Sequence, residues 1–131
     1  MQDFSKLKVW QKAHTLTLRV YEKTSTLPRH EIFGLRAQMR RAAVSIPANI
    51  AEGCGRGGRA QFSHFLKIAM GSSSELEYQL LLVYDLGWMK AEAYHALRND
   101  VREIKRMLTG FLSRLVPETR SLSNVNSKTD N

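Results

Sequence analysis

Basic side chains at helical spacing are the residues of this sequence best suited to chemistry, and that chemistry is phosphate recognition. Arg36 and Arg40 are one helical turn apart, as are Arg98 and Arg102, so each pair lies on one helix face. Guanidinium groups bind phosphate oxygens through paired hydrogen bonds, and such stripes can follow a nucleic-acid backbone. The candidate nucleic-acid-binding residues are Arg36, Arg40, Arg41, Arg56, Arg59, Arg98, Arg102, Lys105 and Arg106.

The glycine-rich segment Gly53–Gly58 has the letter spacing of a dinucleotide-binding fingerprint. That fingerprint requires a preceding strand, and the residues before Gly53 have helical periodicity instead. Arg59-Ala60 stands where a phosphate-binding P-loop needs Lys followed by Ser or Thr. We therefore predict a flexible loop between helices, with Arg56 and Arg59 beside a helix N-terminus that attracts phosphate.

Metal-binding and catalytic motifs are incomplete in this sequence. Glu92 and His95 form one Glu-x-x-His pair, whereas di-iron bundles use two such motifs and further glutamates. Cys54 is the single cysteine and has no evident base partner, so no intrachain disulfide or cysteine-rich zinc site is expected. We interpret the run Ser72–Ser74 as small residues at close helix contacts. The sequence predicts no catalytic residue, no metal site, no cofactor and no enzymatic activity.

Apolar residues recur at helical spacing through most of the chain and predict an all-α protein. From Tyr94 to Leu115 they step by three and four residues, which is a heptad stripe. Pro28 and Gly87 mark connections, and Pro117 ends the last helix. Short connections predict an antiparallel up-and-down four-helix bundle. The predicted helices span about 7–26, 30–52, 60–86 and 90–115, in a domain of residues 1–116 followed by a disordered polar tail, 117–131.

Two of the predicted helices have unusual features. Pro47 lies inside the second helix and predicts a kink, because proline removes a backbone donor and clashes with the carbonyl of Ala43. We assign structural roles to Pro47, Asn49 and Gly53. The third helix is apolar on more than one face, which favours a subunit interface over the alternative of a wide central helix in a monomer. The candidate interface residues are Phe65, Ile68, Leu81, Leu82 and Tyr84.

Composition indicates a small basic protein with an anionic partner. The chain has 131 residues, a net charge of +8 and an apolar fraction of 43%, which favours one folded domain and excludes full disorder. The segment 61–89 is acidic, which indicates pairing within or between subunits, and Asp100 and Glu103 partly neutralise the second basic stripe. No apolar run is long enough to span a membrane, and residues 1–10 lack a signal-peptide core, so we expect a cytoplasmic bacterial protein.

Several blocks of sequence together resemble one known family. They are Val9–Ala13, the long block Gln38–Gly53, Phe62–Leu66, Glu75–Glu77 and Leu86–Gly87. In these blocks the chain resembles the 23S ribosomal RNA intervening-sequence proteins, also called the four-helix bundle protein family. The resemblance covers about residues 4–115.

The resemblance implies a left-handed up-and-down four-helix bundle that assembles as a ring-like homopentamer. It also implies kinship with the accessory protein of diversity-generating retroelements, a basic pentamer that associates with a reverse transcriptase and with nucleic acid. It carries no established enzymatic activity and no catalytic residues.

Three hypotheses about function follow from the residues and the resemblance. The first is a non-enzymatic homo-oligomer, in particular a pentamer, that binds RNA or a ribonucleoprotein through its arginine-rich surfaces. The second is a protein-interaction scaffold without a nucleic-acid partner, in which basic groups meet acidic groups of a neighbour. The third and weakest is a metal-dependent enzyme with its centre in the bundle core.

Overall fold

The computed structural model describes residues 3–115, which fold into four long α-helices. Short 3-10 helices precede α1 at Phe4–Lys6 and α2 at Arg29–Glu31, and the described residues contain no strand. The predicted all-α fold with four helices is confirmed. The proposed tail, 117–131, and residues 1, 2 and 116 of the proposed domain lie outside the described residues. The helices are α1 Lys8–Thr24, α2 Leu35–Arg56, α3 Arg59–Asp85 and α4 Ala91–Leu115.

The bounds of α2 differ most from the sequence prediction, because packing overrides its glycines. The helix begins at Leu35 rather than near residue 30. At this start, the Leu35 backbone N–H donates a hydrogen bond to the Glu31 carboxylate at 3.0 Å. It ends at Arg56 and so includes four of the six residues of the glycine-rich segment predicted as a loop. The connection to α3 is reduced to Gly57 and Gly58, with φ angles of 73° and 88° that favour glycine.

Gly53 is helical and buried because α3 passes close to its backbone. A Cβ at this position would lie 3.0 Å from Cδ1 of Phe62 and 3.1 Å from Cβ of Phe65. Gly53 is thus a close-contact residue between α2 and α3, whereas the sequence pattern placed it at the start of the predicted loop.

Each helix contributes one apolar stripe to a common core. Helix α1 packs on α2 and α4, and α3 also packs on α2 and α4. The stripes predicted from the spacing of α3 and α4 are buried almost throughout. The largest fully buried side chains are Leu16, Met39, Ile46, Ile50, Leu66, Leu76, Leu80, Leu97, Ile104, Leu108, Val9 and Val20.

Ion pairs, hydrogen bonds and aromatic contacts between helices show which helical turns lie side by side. Lys12 and Arg19 of α1 pair with Glu103 and Asp100 of α4, at 2.9 and 2.6 Å. The hydroxyl oxygens of Ser45 and Ser72 lie 2.7 Å apart between α2 and α3, and the rings of Tyr84 and Tyr94 stack at 4.4 Å between α3 and α4. The ring of His30 contacts the ring of Trp88 at 5.8 Å, so the α1–α2 and α3–α4 connections are adjacent.

Pro47 is buried, and α2 continues as one helix on both sides of it. Because proline has no N–H, the carbonyl of Ala43 loses the donor that would normally come from residue 47. The Thr17 hydroxyl of α1 replaces it in part, because its single proton is shared between the Ala43 carbonyl oxygen at 3.1 Å and the Ala13 carbonyl oxygen of α1 at 2.8 Å. One turn further on, the Asn49 amide donates to the Ser45 carbonyl at 2.8 Å. The kink at Pro47 stays a prediction.

Candidate nucleic-acid interface

Arg40 is fixed to the end of α1 and has a structural role. Its Nε donates to the Thr24 hydroxyl at 3.1 Å, and its Nη2 donates to the Tyr21 carbonyl at 3.0 Å. The guanidinium carbon lies 4.5 Å from the centre of the Tyr21 ring. A cation at carbonyls in the last turn of a helix interacts favourably with the helix dipole, so Arg40 joins α2 to α1.

Two further arginines among the candidate nucleic-acid-binding residues form ion pairs within the chain. Arg41 lies 3.4 Å from the Glu75 carboxylate of α3, and Arg56 lies 2.9 Å from Glu52, one turn earlier on α2. The Arg56 guanidinium also covers the Phe65 ring at 5.5 Å. These contacts neutralise part of the basic charge that the sequence offered to a ligand.

A pocket at the α2–α3 connection contains Arg59, the first residue of α3. It has a volume of about 410 Å³ and is lined by Cys54, Gly58, Arg59, Phe62 and Arg114 among others. Burial raises the pKa of the Cys54 thiol above its ordinary value, so the thiol is protonated at neutral pH.

On α4, one carboxylate organises two of the candidate cations. Glu77 of α3 accepts hydrogen bonds from Nε of Arg102 and from Nζ of Lys105, both at 2.9 Å. The hydrogen bond from Arg102, and then that from Lys105, hold the pKa of Glu77 below its ordinary value. The acidic third segment noted in the sequence thus pairs within the chain, through Glu77 here and Glu75 beside Arg41.

Arg98 has a different environment on the same helix face. Its guanidinium carbon lies 5.6 Å from the centre of the Tyr94 ring, and its Nε is buried without a hydrogen-bond partner in the described part of the chain. Arg98 lines a pocket of about 280 Å³ with Arg102, Ser74 and the 62% exposed Tyr78. Arg106, one turn beyond Arg102, is exposed, and we find no ion pair for it among residues 3–115.

We call this region the α3–α4 basic surface. It combines four cations with one carboxylate, an exposed aromatic ring and a hydroxyl. Its residues are Ser74, Glu77, Tyr78, Arg98, Arg102, Lys105 and Arg106.

The remaining candidate, Arg36, lies in a second cleft that we call the α2 groove. The groove has a volume of about 810 Å³, and its lining includes three arginines and no carboxylate. Phe33, at its edge, is 95% exposed. Sequence reasoning missed Phe33 because it places this residue inside a helix starting at residue 30, where one apolar side chain is unremarkable. The lining residues are Tyr21, Ile32, Phe33, Arg36, Ala37, Arg40, Arg41, Val44, Ser45, Ala48 and Asn49.

The five interface candidates on α3 divide into two groups. Ile68 and Leu81 are exposed, at 38% and 41%. Phe65 and Leu82 are half-buried, and Tyr84 packs on the core and stacks on Tyr94. Whether these residues contact another subunit stays a prediction.

The described helices offer neither a metal centre nor a membrane span. Within residues 3–115, no group of three His, Cys, Asp or Glu side chains is arranged to hold a metal ion. No helix in the same range is long and apolar enough to cross a membrane.

Taken together, the fold and the clustered cations define a basic, all-α protein of four helices. A family model of the 23S rRNA-intervening sequence proteins matches residues 5–110, and the chain belongs to this family. A solved structure from Bacteroides thetaiotaomicron VPI-5482, a protein with unknown function from the S23 ribosomal protein family, is similar, with a TM-score of 0.74 and 29% sequence identity. That similarity covers 80% of this chain and 95% of the other. No curated protein matches this chain significantly.

Proposed function

We propose that this protein is a non-enzymatic, cytoplasmic homo-oligomer, in particular a pentamer, that binds RNA through its α3–α4 basic surface. The observation that carries the proposal is Arg98, a partly buried guanidinium that lines a pocket with Arg102 and Tyr78 and whose Nε has no acceptor among residues 3–115. A phosphate in this pocket would supply an acceptor for the guanidinium group.

The wider surface has the composition of a site for nucleic acid. Glu77 offsets only one of the four cations and holds Arg102 and Lys105 in place. The exposed Tyr78 ring offers a stacking surface, and base stacking on an aromatic ring is typical of single-stranded RNA binding. We therefore favour single-stranded RNA over duplex.

The proposal includes an antiparallel, up-and-down, left-handed arrangement of the helices. In α1 and α4, the ion pairs step forward from Lys12 to Arg19 while they step back from Glu103 to Asp100. Between α1 and α2, the hydrogen bonds likewise step forward from Thr17 to Thr24 on α1 while they step back from Ala43 to Arg40 on α2. These opposite steps support antiparallel neighbours, and the handedness rests on the family resemblance alone.

Binding of a labelled single-stranded RNA, measured by fluorescence anisotropy at 50 and 200 mM salt, tests the RNA half of the proposal. We expect affinity to fall steeply with salt, and the single variants Arg98→Gln and Arg106→Gln each to reduce the salt slope by about one. Arg29→Gln is the matched control, because it removes the same charge from an exposed residue outside this surface. An equal reduction for Arg29→Gln, or no binding by the wild type at 50 mM salt, would contradict RNA binding here.

A protein-interaction scaffold is the second candidate function. The α2 groove favours it, because a fully exposed aromatic ring beside further apolar residues is typical of a protein contact. Two measurements after low-salt purification separate the two functions. Bound RNA adds mass in native mass spectrometry and raises the ultraviolet absorbance at 260 nm, and a protein-only assembly shows neither.

A further inference from the structure

In the α2 groove, Arg41 pairs with Glu75, but Arg36 has no counter-charge and the exposed Phe33 ring has no apolar cover among the described residues. Arg36 lies in the first turn of α2, where the helix dipole disfavours a cation, and that turn contains no acidic residue. Within the described residues Arg36 has no ion pair, and the groove lining has no carboxylate. The missing partner should therefore combine apolar side chains for Phe33 with a carboxylate for Arg36.

The α3–α4 connection carries the complementary set, which we call the acidic corner: Leu81, Asp85, Leu86 and Glu92. Asp85 is the last residue of α3, where the helix dipole disfavours an anion, and the last turn contains no basic residue. Neither Asp85 nor Glu92 has an ion pair in the part of the chain that the structure describes. Leu81 and Leu86, at the end of α3, are 41% and 48% exposed, and Leu81 also lies at the edge of the Arg98 pocket.

We propose that the α2 groove of one copy docks on the acidic corner of the next, with Phe33 between Leu81 and Leu86 and with Arg36 opposite Asp85. Each charge is unfavourably placed in its own helix, and the contact would correct both. The two surfaces differ, so the contact is head-to-tail and can repeat around a closed ring. The His30–Trp88 ring contact places both surfaces near one end of the molecule, so the repeats can lie at one level.

This inference rests on the homo-oligomer of the proposed function and adds the surfaces that form it. The first test is the mass of the wild type, Phe33→Ser and Ile68→Ser, measured by light scattering over a range of concentrations. Phe33 is almost fully exposed, so its replacement should leave the helical circular dichroism unchanged. We expect Phe33→Ser to weaken assembly about 30-fold, as for a buried aromatic anchor, and Ile68→Ser to have little effect.

The second test exchanges the charges across the contact. Arg36→Glu and Asp85→Lys should each weaken assembly about tenfold, because each places like charges opposite one another. The double variant should recover most of the wild-type assembly. Mixing the two single variants should recover part of it, because contacts between unlike variants pair opposite charges, although a ring of five copies keeps at least one contact between like variants. Even partial recovery requires the pair to form between copies.

The outcomes separate the two proposals. A monomeric wild type would overturn the homo-oligomer and this inference together. A wild type that assembles, with Phe33→Ser and Arg36→Glu assembling equally well, would overturn the inference alone. Loss of assembly in Ile68→Ser but not in Phe33→Ser would place the interface around Ile68, without the α2 groove, and overturn it too. If Phe33→Ser lowers RNA affinity without changing mass, the groove binds nucleic acid and the inference is wrong.

Discussion

At the residue scale, the ionised carboxylate of Glu77 stabilises the fold, because it accepts hydrogen bonds from two cations of α4. Its pKa is lowered by the hydrogen bonds from Arg102 and Lys105, so its ionised form is more favourable in the folded state than in the unfolded chain. A lowered folded-state pKa contributes stability above the unfolded value, and this contribution is lost as pH falls through the folded value.

We therefore expect Glu77→Gln to lower the free energy of unfolding at pH 7 by about 1 kcal/mol. The difference in the free energy of unfolding between Glu77→Gln and the wild type should shrink as pH falls below the ordinary glutamate value of 4.5. The wild-type carboxyl then takes up a proton, first in the unfolded chain and at lower pH in the folded protein. Urea unfolding at pH 7 and pH 3 measures both. Glu52→Gln, which breaks the exposed pair with Arg56, is the control and should cost about 0.3–0.5 kcal/mol. A Glu77→Gln deficit that is the same at both pH values would contradict this account.

The sequence identified the charged residues but not how they pair. Helical spacing put Arg98 and Arg102 on one face, and the structure agrees. Spacing within α4 carries no information on Glu77, because this residue lies on α3. Its carboxylate accepts hydrogen bonds from Arg102 and Lys105, whereas the Nε of Arg98 has no acceptor among the described residues. Phe33 escaped notice for a similar reason, since its exposure depends on where α2 begins and therefore on the Glu31 carboxylate.

At the element scale, the two glycines of α2's last turns give opposite predictions. Gly53→Ala would place a Cβ 3.0 Å from Phe62 and 3.1 Å from Phe65, whereas a Cβ at Gly55 meets nothing within 4 Å. We expect Gly53→Ala to destabilise the protein by about 1–3 kcal/mol through overpacking. Gly55→Ala should stabilise it by about 0.5–1 kcal/mol through helix propensity. Thermal unfolding compares the two, and a stabilising Gly53→Ala would mean that α3 can move away freely.

The same segment explains why the end of α2 was hard to predict. Glycines within six residues favour a turn on local propensity, and that reasoning placed a loop from residue 53. The structure uses Gly53 to let α3 approach and only Gly57 and Gly58 for the turn. A requirement set by the opposing helix has no local signature, whereas the stripes of α3 and α4, which depend on each helix's own period, were predicted well.

The α1–α2 seam depends on Thr17 and Pro47 as a pair. Thr17→Val should cost about 1–3 kcal/mol, because it leaves the buried Ala43 carbonyl without a donor. Pro47→Ala restores a backbone N–H for that carbonyl, so Thr17→Val should cost less in the Pro47→Ala background. A double-mutant cycle by urea unfolding measures this coupling. Additive effects of the two substitutions would show that the Thr17 hydroxyl does not replace the missing donor.

At the scale of the whole molecule, the net charge of +8 is the excess of 20 basic over 12 acidic residues, and ion pairs within the chain already occupy several of the basic groups, among them Lys12, Arg19, Arg41 and Arg102. On the α3–α4 basic surface, one copy therefore offers RNA two cations without an ion pair among the described residues, Arg98 and Arg106. Assembly would repeat that surface around a ring and let one RNA chain contact several copies, which raises its overall affinity without any new type of contact.

This coupling of assembly and binding predicts that Phe33→Ser weakens RNA binding although it removes no cation. If the variant dissociates, its affinity for an RNA long enough to reach several copies should fall at least tenfold, and its salt slope should become shallower. Arg98→Gln separates the causes, because it should reduce the salt slope while the mass of the assembly is unchanged. Anisotropy titrations with a short and a long RNA make the comparison, since the short RNA contacts one copy in either case. A dissociated Phe33→Ser protein that binds the long RNA with wild-type affinity and slope would mean that each copy acts alone.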